Sequence, residues 1–191
     1  MGTTTNRAIP YPDASLPIGL ANEHQQDLAE WLDEDLEHSR FEDENWGQSV
    51  ANTGADIVQD WVGLGTMQGG WTFDGGNNRW LYSGPDALFL VCLQTTFNVD
   101  ADGGVLANFV RGGDHPDFVG FAPVCGQRVP ISPYSSRVTL NCSGIVHCGP
   151  TGYGSIDSRV VSNLDSPLAP AAVDNGAEGP SRISCVRLRS L

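Results

Sequence analysis

The chain has 191 residues, of which 40% are hydrophobic, as in an ordinary globular protein, and this excludes wholesale disorder. Its formal net charge of −13 argues against nucleic-acid and anionic-membrane partners, because phosphate groups bind basic surfaces. No apolar run reaches the roughly 18 residues of a membrane helix, and residues 1–7 lack the apolar region of a signal peptide. We therefore expect a protein made in a cytoplasm, without a nucleic-acid or membrane partner.

The charge is unevenly distributed along the chain. Residues 1–64 hold 13 of the 23 acidic residues and only two arginines, and the chain has no lysine. Residues 65–191 are nearly neutral and contain most of the short apolar runs, separated by glycine and proline as in an all-β fold. The sequence therefore predicts an acidic N-terminal arm for attachment over 1–64 and a β-sandwich head over 65–191.

The arm is predicted to contain an extended, proline-rich segment over 8–20 and one amphipathic helix over about 22–39. Leu28, Trp31, Leu32 and Leu36 recur at helical spacing and form one apolar stripe, whereas the remaining faces are acidic. One narrow stripe cannot stabilise an isolated helix, so it needs a partner surface. The acidic face either is simply solvated or docks on a basic patch through long-range attraction.

Residues 41–60 mix acidic and aromatic side chains, and we expect a connector with little regular structure, or a short helix over 55–62. Trp31, Trp46 and Trp61 are either anchors in an interface or residues that pack on the chain's own sheet.

The clearest β signals begin near Gly69. Residues 71–74 and 79–82 flank a Gly-Gly-Asn-Asn turn and predict a hairpin. In the following strand, 86–99, the odd positions form a continuous core face, and the even positions begin apolar and become polar. One end of this strand is therefore expected to be buried on both faces, either by another subunit or by a covering segment.

Further short strands are predicted toward the C-terminus, with a proline- and alanine-rich loop over 165–180. The apolar parity of the last strand changes between Cys185 and Val186, which indicates a bulge or burial on both faces. Eight or nine short strands with turn-rich links are typical of a jelly-roll β-sandwich. The expected later strands are 105–110, 117–122, 128–132, 136–148, 155–163 and 181–190.

Motifs for chemistry are weak. Asp100-Ala101-Asp102-Gly103-Gly104 begins like a calcium loop but lacks the remaining oxygen ligands, so a β-turn is favoured. Cys142, His147 and Cys148 make a partial zinc set whose fourth ligand, Cys125 or His115, would have to come from elsewhere in the chain. The five cysteines include no C-x-x-C pair, and core thiols with a surface histidine are favoured over a metal site. No nucleophile elbow is present, although carboxylate pairs of a glycosidase cannot be judged from sequence spacing. We expect no catalytic residue, metal or cofactor, and thus no enzyme.

Several segments together resemble a known family. They are Gly69-Gly70-Trp71, Leu81-Tyr82-Ser83-Gly84, residues 138–146 and the closing run 184–188. Residues 69–191 resemble the trimeric jelly roll of the tumour-necrosis-factor/C1q type found in structural proteins of tailed bacteriophages and archaeal tailed viruses. The runs 7–13 and 26–30 are similar to the openings of phage head and tail accessory proteins.

The resemblance implies a homotrimer in which the long early strand and the final strand lie near the threefold axis. The candidates for the trimer interface are Leu88, Leu90, Cys92, Val186 and Leu188. The candidates for attachment to a capsid are Tyr11, Leu28, Trp31, Leu32, Leu36 and Trp46.

The function implied is that of a capsid decoration protein, of the cement or head-fibre type, that binds the major capsid protein on the virion surface. The alternative is a receptor-binding tail-fibre tip whose loops near 111–127 and 165–180 recognise a host glycan or protein. A third class, a tail enzyme that hydrolyses glycans, has turnover of host polysaccharide as its test.

Overall fold

The computed structural model describes residues 2–3, 10–11, 39–45, 47–63, 65–133, 136–165, 171–173 and 181–191. Contacts divide the chain into two units, Met1–His38 and Ser39–Leu191. In the first unit, β1 (Gly2–Thr3) pairs antiparallel with β2 (Pro10–Tyr11). The predicted helix over 22–39 lies, except for Ser39, outside the described residues.

The second unit is built from strands. They are β3 (Arg40–Glu44), β4 (Gln48–Val50), β5 (Asp56–Val58), β6 (Trp71–Asp74), β7 (Arg79–Tyr82), β8 (Ala87–Asn98), β9 (Gly103–Gly113), β10 (Ala122–Pro130), β11 (Arg137–Cys148), β12 (Ser155–Asp165), β13 (Ala171–Val173) and β14 (Arg182–Ser190). Across the described ranges, no helix has the length and apolar character needed to cross a membrane. The prediction of a mainly β fold is confirmed.

The strands form two six-stranded antiparallel sheets. Sheet I has the order β10-β9-β12-β7-β6, and β5 pairs with β12 beyond the end of β7. Sheet II has the order β3-β14-β8-β13-β4, and β11 pairs with the other side of β8 along its whole length. Side chains from both sheets pack in a common core, which makes the unit a β-sandwich.

The predicted core face of the long strand is confirmed. In β8 the odd positions from Ala87 to Phe97 are buried, whereas Leu88, Leu90 and Cys92 are only half-buried. Successive side chains of a strand point to opposite faces, so the odd positions face sheet I and the even positions lie on the outer face of sheet II.

The core has an aromatic end and an aliphatic end. At the aromatic end, Trp80 stacks on Phe41 with ring centroids 4.7 Å apart, and Trp61 and Trp71 meet this pair edge-on. Such aromatic pairs contribute about 0.5–1.5 kcal/mol each beyond the burial of their area. The aliphatic end contains mostly valine, leucine and alanine side chains around Phe97.

A polar layer separates the two ends of the core. Thr95 Oγ1 accepts hydrogen bonds from Gln59 Nε2 at 3.3 Å and from Asn108 Nδ2 at 3.2 Å. All three side chains are buried. Because an unpaired buried polar group costs about 1–3 kcal/mol, these hydrogen bonds fix the position of β8 in sheet II opposite β9 in sheet I.

The predicted hairpin is confirmed by the pairing of β6 with β7. Asp74 stabilises the turn, because its two carboxylate oxygens accept hydrogen bonds from Gly76 N and Asn77 Nδ2. Asn78 closes the turn with a φ of 49°, a left-handed conformation that asparagine tolerates better than most residues.

The connector over 41–60 differs from its prediction, because β3, β4 and β5 are built into the two sheets and no helix forms over 55–62. Phe41 is fully buried between Trp71 and Trp80. The compact β unit therefore begins at Ser39, whereas the sequence placed the start of the head at residue 65.

Three smaller predictions also need correction. The separate strands expected over 117–122 and 128–132 are replaced by the single strand β10, and residues 117–121 are a loop. The loop expected over 165–180 contains β13. The bulge of the last strand lies between Arg187 and Arg189, where the register with β8 shifts, two residues later than the parity change.

Candidate functional site

The outer face of sheet II brings the predicted interface residues together. Leu88, Leu90 and Cys92 lie on the outward side of β8, and Val186 of β14 pairs directly with Leu90. Leu188 is the extra residue of the β14 bulge and is 41% exposed. The five residues chosen from the sequence thus lie on two neighbouring strands of one sheet.

The apolar surface extends onto β11, whereas the strand on the other side, β3, places an arginine next to it. Ile145 of β11 pairs with Leu90 and is 63% exposed, and Arg40 of β3 pairs with Val186. The four strands therefore carry one lateral row, Arg40, Val186, Leu90 and Ile145, which we call the Leu90 row. Ile145 was not predicted from the sequence as an interface residue. The inward positions of Leu140 and Cys142 nevertheless indicate that the odd positions of this strand point outward.

The next rows along the same face are polar. Cys92 lies between Ser184 and Ser143, and Gln94 lies between Arg182 and Asn141. Arg182 Nε forms an ion pair with Glu44 Oε1 at 3.1 Å. A shallow cavity of about 360 Å³ opens here, lined by Glu42, Cys92, Leu93, Gln94, Asn141, Cys142, Ser143, Arg182 and Ser184.

The opposite margin of the Leu90 row carries a histidine–aspartate pair. His147 Nε2 lies 3.0 Å from Asp86 Oδ1, which also accepts a hydrogen bond from Thr151 N at 2.9 Å. The Thr151 N–H is the main cause that lowers the pKa of Asp86, and the contact with His147 adds to it. The apolar row is therefore bounded by polar groups that already have partners within the chain.

The outer face of sheet I has a different chemistry. Asp157 of β12 is 2% exposed and accepts two hydrogen bonds from Arg111, at 3.0 and 2.8 Å, and one from Arg159 Nε at 3.0 Å. The Asp157 hydrogen bonds raise the pKa of Arg111. The Arg111 guanidinium also lies 4.5 Å over the Phe121 ring and 3.6 Å from Asp56. These charged groups form ion pairs with one another, and most of the partners lie on sheet I.

The loop between β9 and β10 presents an apolar tip. Val119 is fully exposed, and Phe118 and Phe121 are each more than a third exposed. The His115 ring stacks on Phe118 with centroids 4.2 Å apart, and Tyr153 meets both rings edge-on. The loop predicted over 111–127 therefore contains a supported cluster of rings.

The proposed attachment residues cannot be placed. Leu28, Trp31, Leu32, Leu36 and Trp46 lie outside the described residues, and for Tyr11 only the backbone, in β2, is described. Trp61 is different, because it packs on Trp80 and its Nε1 donates to Ser158 Oγ at 2.8 Å. Of the two alternatives considered for Trp61, the structure supports packing on its own sheet.

Strand alternation separates the residues of the candidate zinc motif. Cys142 and Cys148 lie on the inward side of β11, and His147 lies on its outward side. Asp100 and Asp102 are exposed in the turn between β8 and β9. Within the part of the chain that the structure describes, no three His, Cys, Asp or Glu side chains form a group suited to a metal ion.

No family model matches the sequence, and a comparison with curated proteins finds no significant similarity.

Proposed function

We propose that the protein is a homotrimeric structural protein whose subunits pack through the outer face of sheet II. The observation that carries the proposal is the Leu90 row, in which Leu90, Val186 and the largely exposed Ile145 lie side by side. Burying an apolar side chain contributes about 25 cal/mol per Å² removed from water. A row on a sheet face of this kind is therefore stabilised by a second protein surface.

The strand pairing supports a jelly roll as the finer description of the sandwich. Four antiparallel pairs are nested along the chain: β3 with β14, β7 with β12, β8 with β11 and β9 with β10. One long folded hairpin has this order. Rolling that hairpin into two layers adds the pairs β8 with β14 and β9 with β12, which are both present.

The resemblance to trimeric jelly rolls supports a trimer over other assemblies. In the jelly rolls that residues 69–191 resemble, the long early strand and the final strand lie near the threefold axis. Here β8 and β14 are these two strands, and they are neighbours from Ala87 to Gln94. Their outward side chains Leu90 and Val186 are the centre of the Leu90 row.

We further propose that the trimer decorates a viral capsid, with the N-terminal arm bound to the major capsid protein and the β head projecting from the virion surface. The resemblance of the sequence supports this step, together with the acidic apolar-striped arm that contains Leu28, Trp31 and Leu32. Many symmetric copies would turn weak single contacts into stable attachment through avidity.

Cosedimentation with capsids assembled from the major capsid protein of the same genome tests this function. Replacing Leu28, Trp31 and Leu32 with serine is expected to abolish cosedimentation while the circular dichroism of the β head and its trimeric mass stay unchanged. Cosedimentation of the triple variant at the level of the unaltered protein would contradict attachment through the predicted helix. An unaltered protein that does not bind these capsids would contradict the decoration function.

The exposed loop tip favours a second candidate function, that of a receptor-binding tail tip. Phe118, Val119 and Phe121 present apolar surface next to the polar ring of His115, a combination suited to a glycan or protein ligand. Copy number per particle separates the two functions, because decoration proteins are far more numerous than tail tips.

A further inference from the structure

Two of the five free thiols meet where the two sheets approach each other edge to edge. Cys125 lies in β10, which is an edge strand of sheet I, and Cys142 lies in β11, at the edge of sheet II. Their sulfur atoms are 3.5 Å apart, within hydrogen-bonding distance of two thiols. The contact therefore connects two strands that do not belong to the same sheet.

The backbone around the two thiols is held in place. A Cβ atom added at Gly144 would meet Val124 O at 2.9 Å and Cys125 Cβ at 3.0 Å, so β10 lies close against β11. Gln127 Oε1 accepts a hydrogen bond from Asn141 N at 2.6 Å two residues further along β10. From 3.5 Å, the sulfur atoms need to approach by about 1.5 Å to reach a disulfide bond length.

We propose that Cys125 and Cys142 are a modification site, at which a low-molecular-weight disulfide such as oxidised glutathione converts the two thiols into an intramolecular disulfide that joins the sheets. The cross-link closes a loop between positions that are 17 residues apart in the chain. It restricts the unfolded chain and ties the edge of sheet I to the edge of sheet II.

The reaction is two successive thiol–disulfide exchanges. The Cys125 thiolate attacks one sulfur of oxidised glutathione, which forms a mixed disulfide and releases one glutathione thiolate. Cys142 then loses its proton to solvent and attacks the Cys125 sulfur, which forms the protein disulfide and releases the second glutathione. The two protein thiols lose two electrons, and the glutathione disulfide gains them.

The order of attack follows from the contact between the sulfurs. A hydrogen bond with Cys142 lowers the pKa of Cys125, and the same bond, together with burial, raises the pKa of Cys142. Cys125 is therefore the first to ionise. The other inward thiols are less reactive, because Cys148 and Cys185 are fully buried and burial raises the pKa of Cys148 to about 12.

The test treats the full chain with oxidised glutathione, then counts thiols under denaturing conditions and maps disulfide-linked peptides by mass spectrometry. We expect the count to fall from five to three, with one linked pair joining Cys125 to Cys142. Melting is expected to shift upward by about 5–10 °C, as for a short cross-linked loop in a domain of this size.

Single variants provide the controls. Cys125→Ser and Cys142→Ser should each abolish the linked peptide and the upward shift, whereas Cys92→Ser should retain both. Cys92 is the informative control because it lies near Cys125 but on the outer face of sheet II. Five thiols that remain free in the unaltered protein would overturn the proposal. A link that contains Cys92, or a link between two chains, would also overturn it. The thiol count and the peptide map of the unaltered protein show these outcomes without any variant.

Discussion

The outer faces of the two sheets have the same strand geometry but differ in how their outward side chains are stabilised. On sheet I, the outward side chains of Arg111 and Arg159 both bind the carboxylate of Asp157, which is also outward. On sheet II, the outward side chains at the centre of β8, β14 and β11 are Leu90, Val186 and Ile145. Charged pairs complete a face within one chain, whereas an apolar row needs a second surface.

The largest effect is expected from placing a charge in the Leu90 row. Leu90→Arg would put a guanidinium at the centre of the proposed subunit contact, and a desolvated, unpaired charge there costs far more than the association supplies. We expect the trimer to dissociate fully into folded monomers at micromolar concentration. Sedimentation velocity measures the masses, and circular dichroism confirms the fold.

Val161→Arg is the matched control, because Val161 is a half-buried outward residue of β12 on sheet I that pairs with Asp56. This variant should keep the assembly of the unaltered protein. If both arginine variants leave the mass unchanged, the outer face of sheet II is not the interface.

The second effect concerns the charged face of sheet I. Asp157→Ala would leave two arginines without their common carboxylate, and removing one partner of a buried ion pair costs about 3 kcal/mol. Urea unfolding should show this loss, with no change in assembly. Asp102→Ala, at an exposed turn, serves as the control with little expected change. An Asp157 variant as stable as the unaltered protein would contradict the account of this face.

A smaller effect is expected at the rim of the Leu90 row. Ile145→Ser removes an exposed apolar side chain, so the folded monomer should lose less than about 0.5 kcal/mol. The trimer should dissociate about tenfold more readily, since burying the side chain contributes about 1.5 kcal/mol. Concentration-dependent light scattering measures the change. Val119→Ser at the loop tip should leave assembly unaffected, and an equal weakening by both variants would remove Ile145 from the interface.

The smallest effect concerns acid stability at the margin of sheet II. The folded pKa of Asp86 lies below its ordinary value of 3.8, mainly through the Thr151 N–H, so its contribution to stability is complete above that value. The contribution is lost as the pH falls through the lowered pKa. Asp86→Asn should therefore flatten the pH dependence of melting below about pH 4. An unchanged acid profile in this variant would show that the carboxylate does not hold the Thr151 turn.

The sequence predicted the strands whose inward residues are mostly apolar, such as β8 and the hairpin of β6 and β7. It missed β3 because Asp43 stands at an inward position of that strand and hides the alternation. The Asp43 carboxylate is buried and accepts hydrogen bonds from Gly63 N and Glu44 N, each at 2.9 Å. Burial is the main cause that raises its pKa.

The candidate interface on sheet II was predictable in part, because several of its residues follow the alternation of one strand. Leu88, Leu90 and Cys92 share one face of a single strand, so periodicity alone groups them. Arg111 and Asp157 are 46 residues apart, and only the register between β9 and β12 brings them together. Long-range pairing of this kind leaves no local pattern in the sequence, and the charged face of sheet I was therefore not anticipated.

The most direct test of the central claim is the native mass of the full chain by light scattering after size exclusion, at low and at high salt. The account predicts three times the 20.4 kDa of one chain at both salt concentrations, because apolar contacts are not screened by salt. A mass of one chain at both concentrations would contradict the subunit contact through the outer face of sheet II.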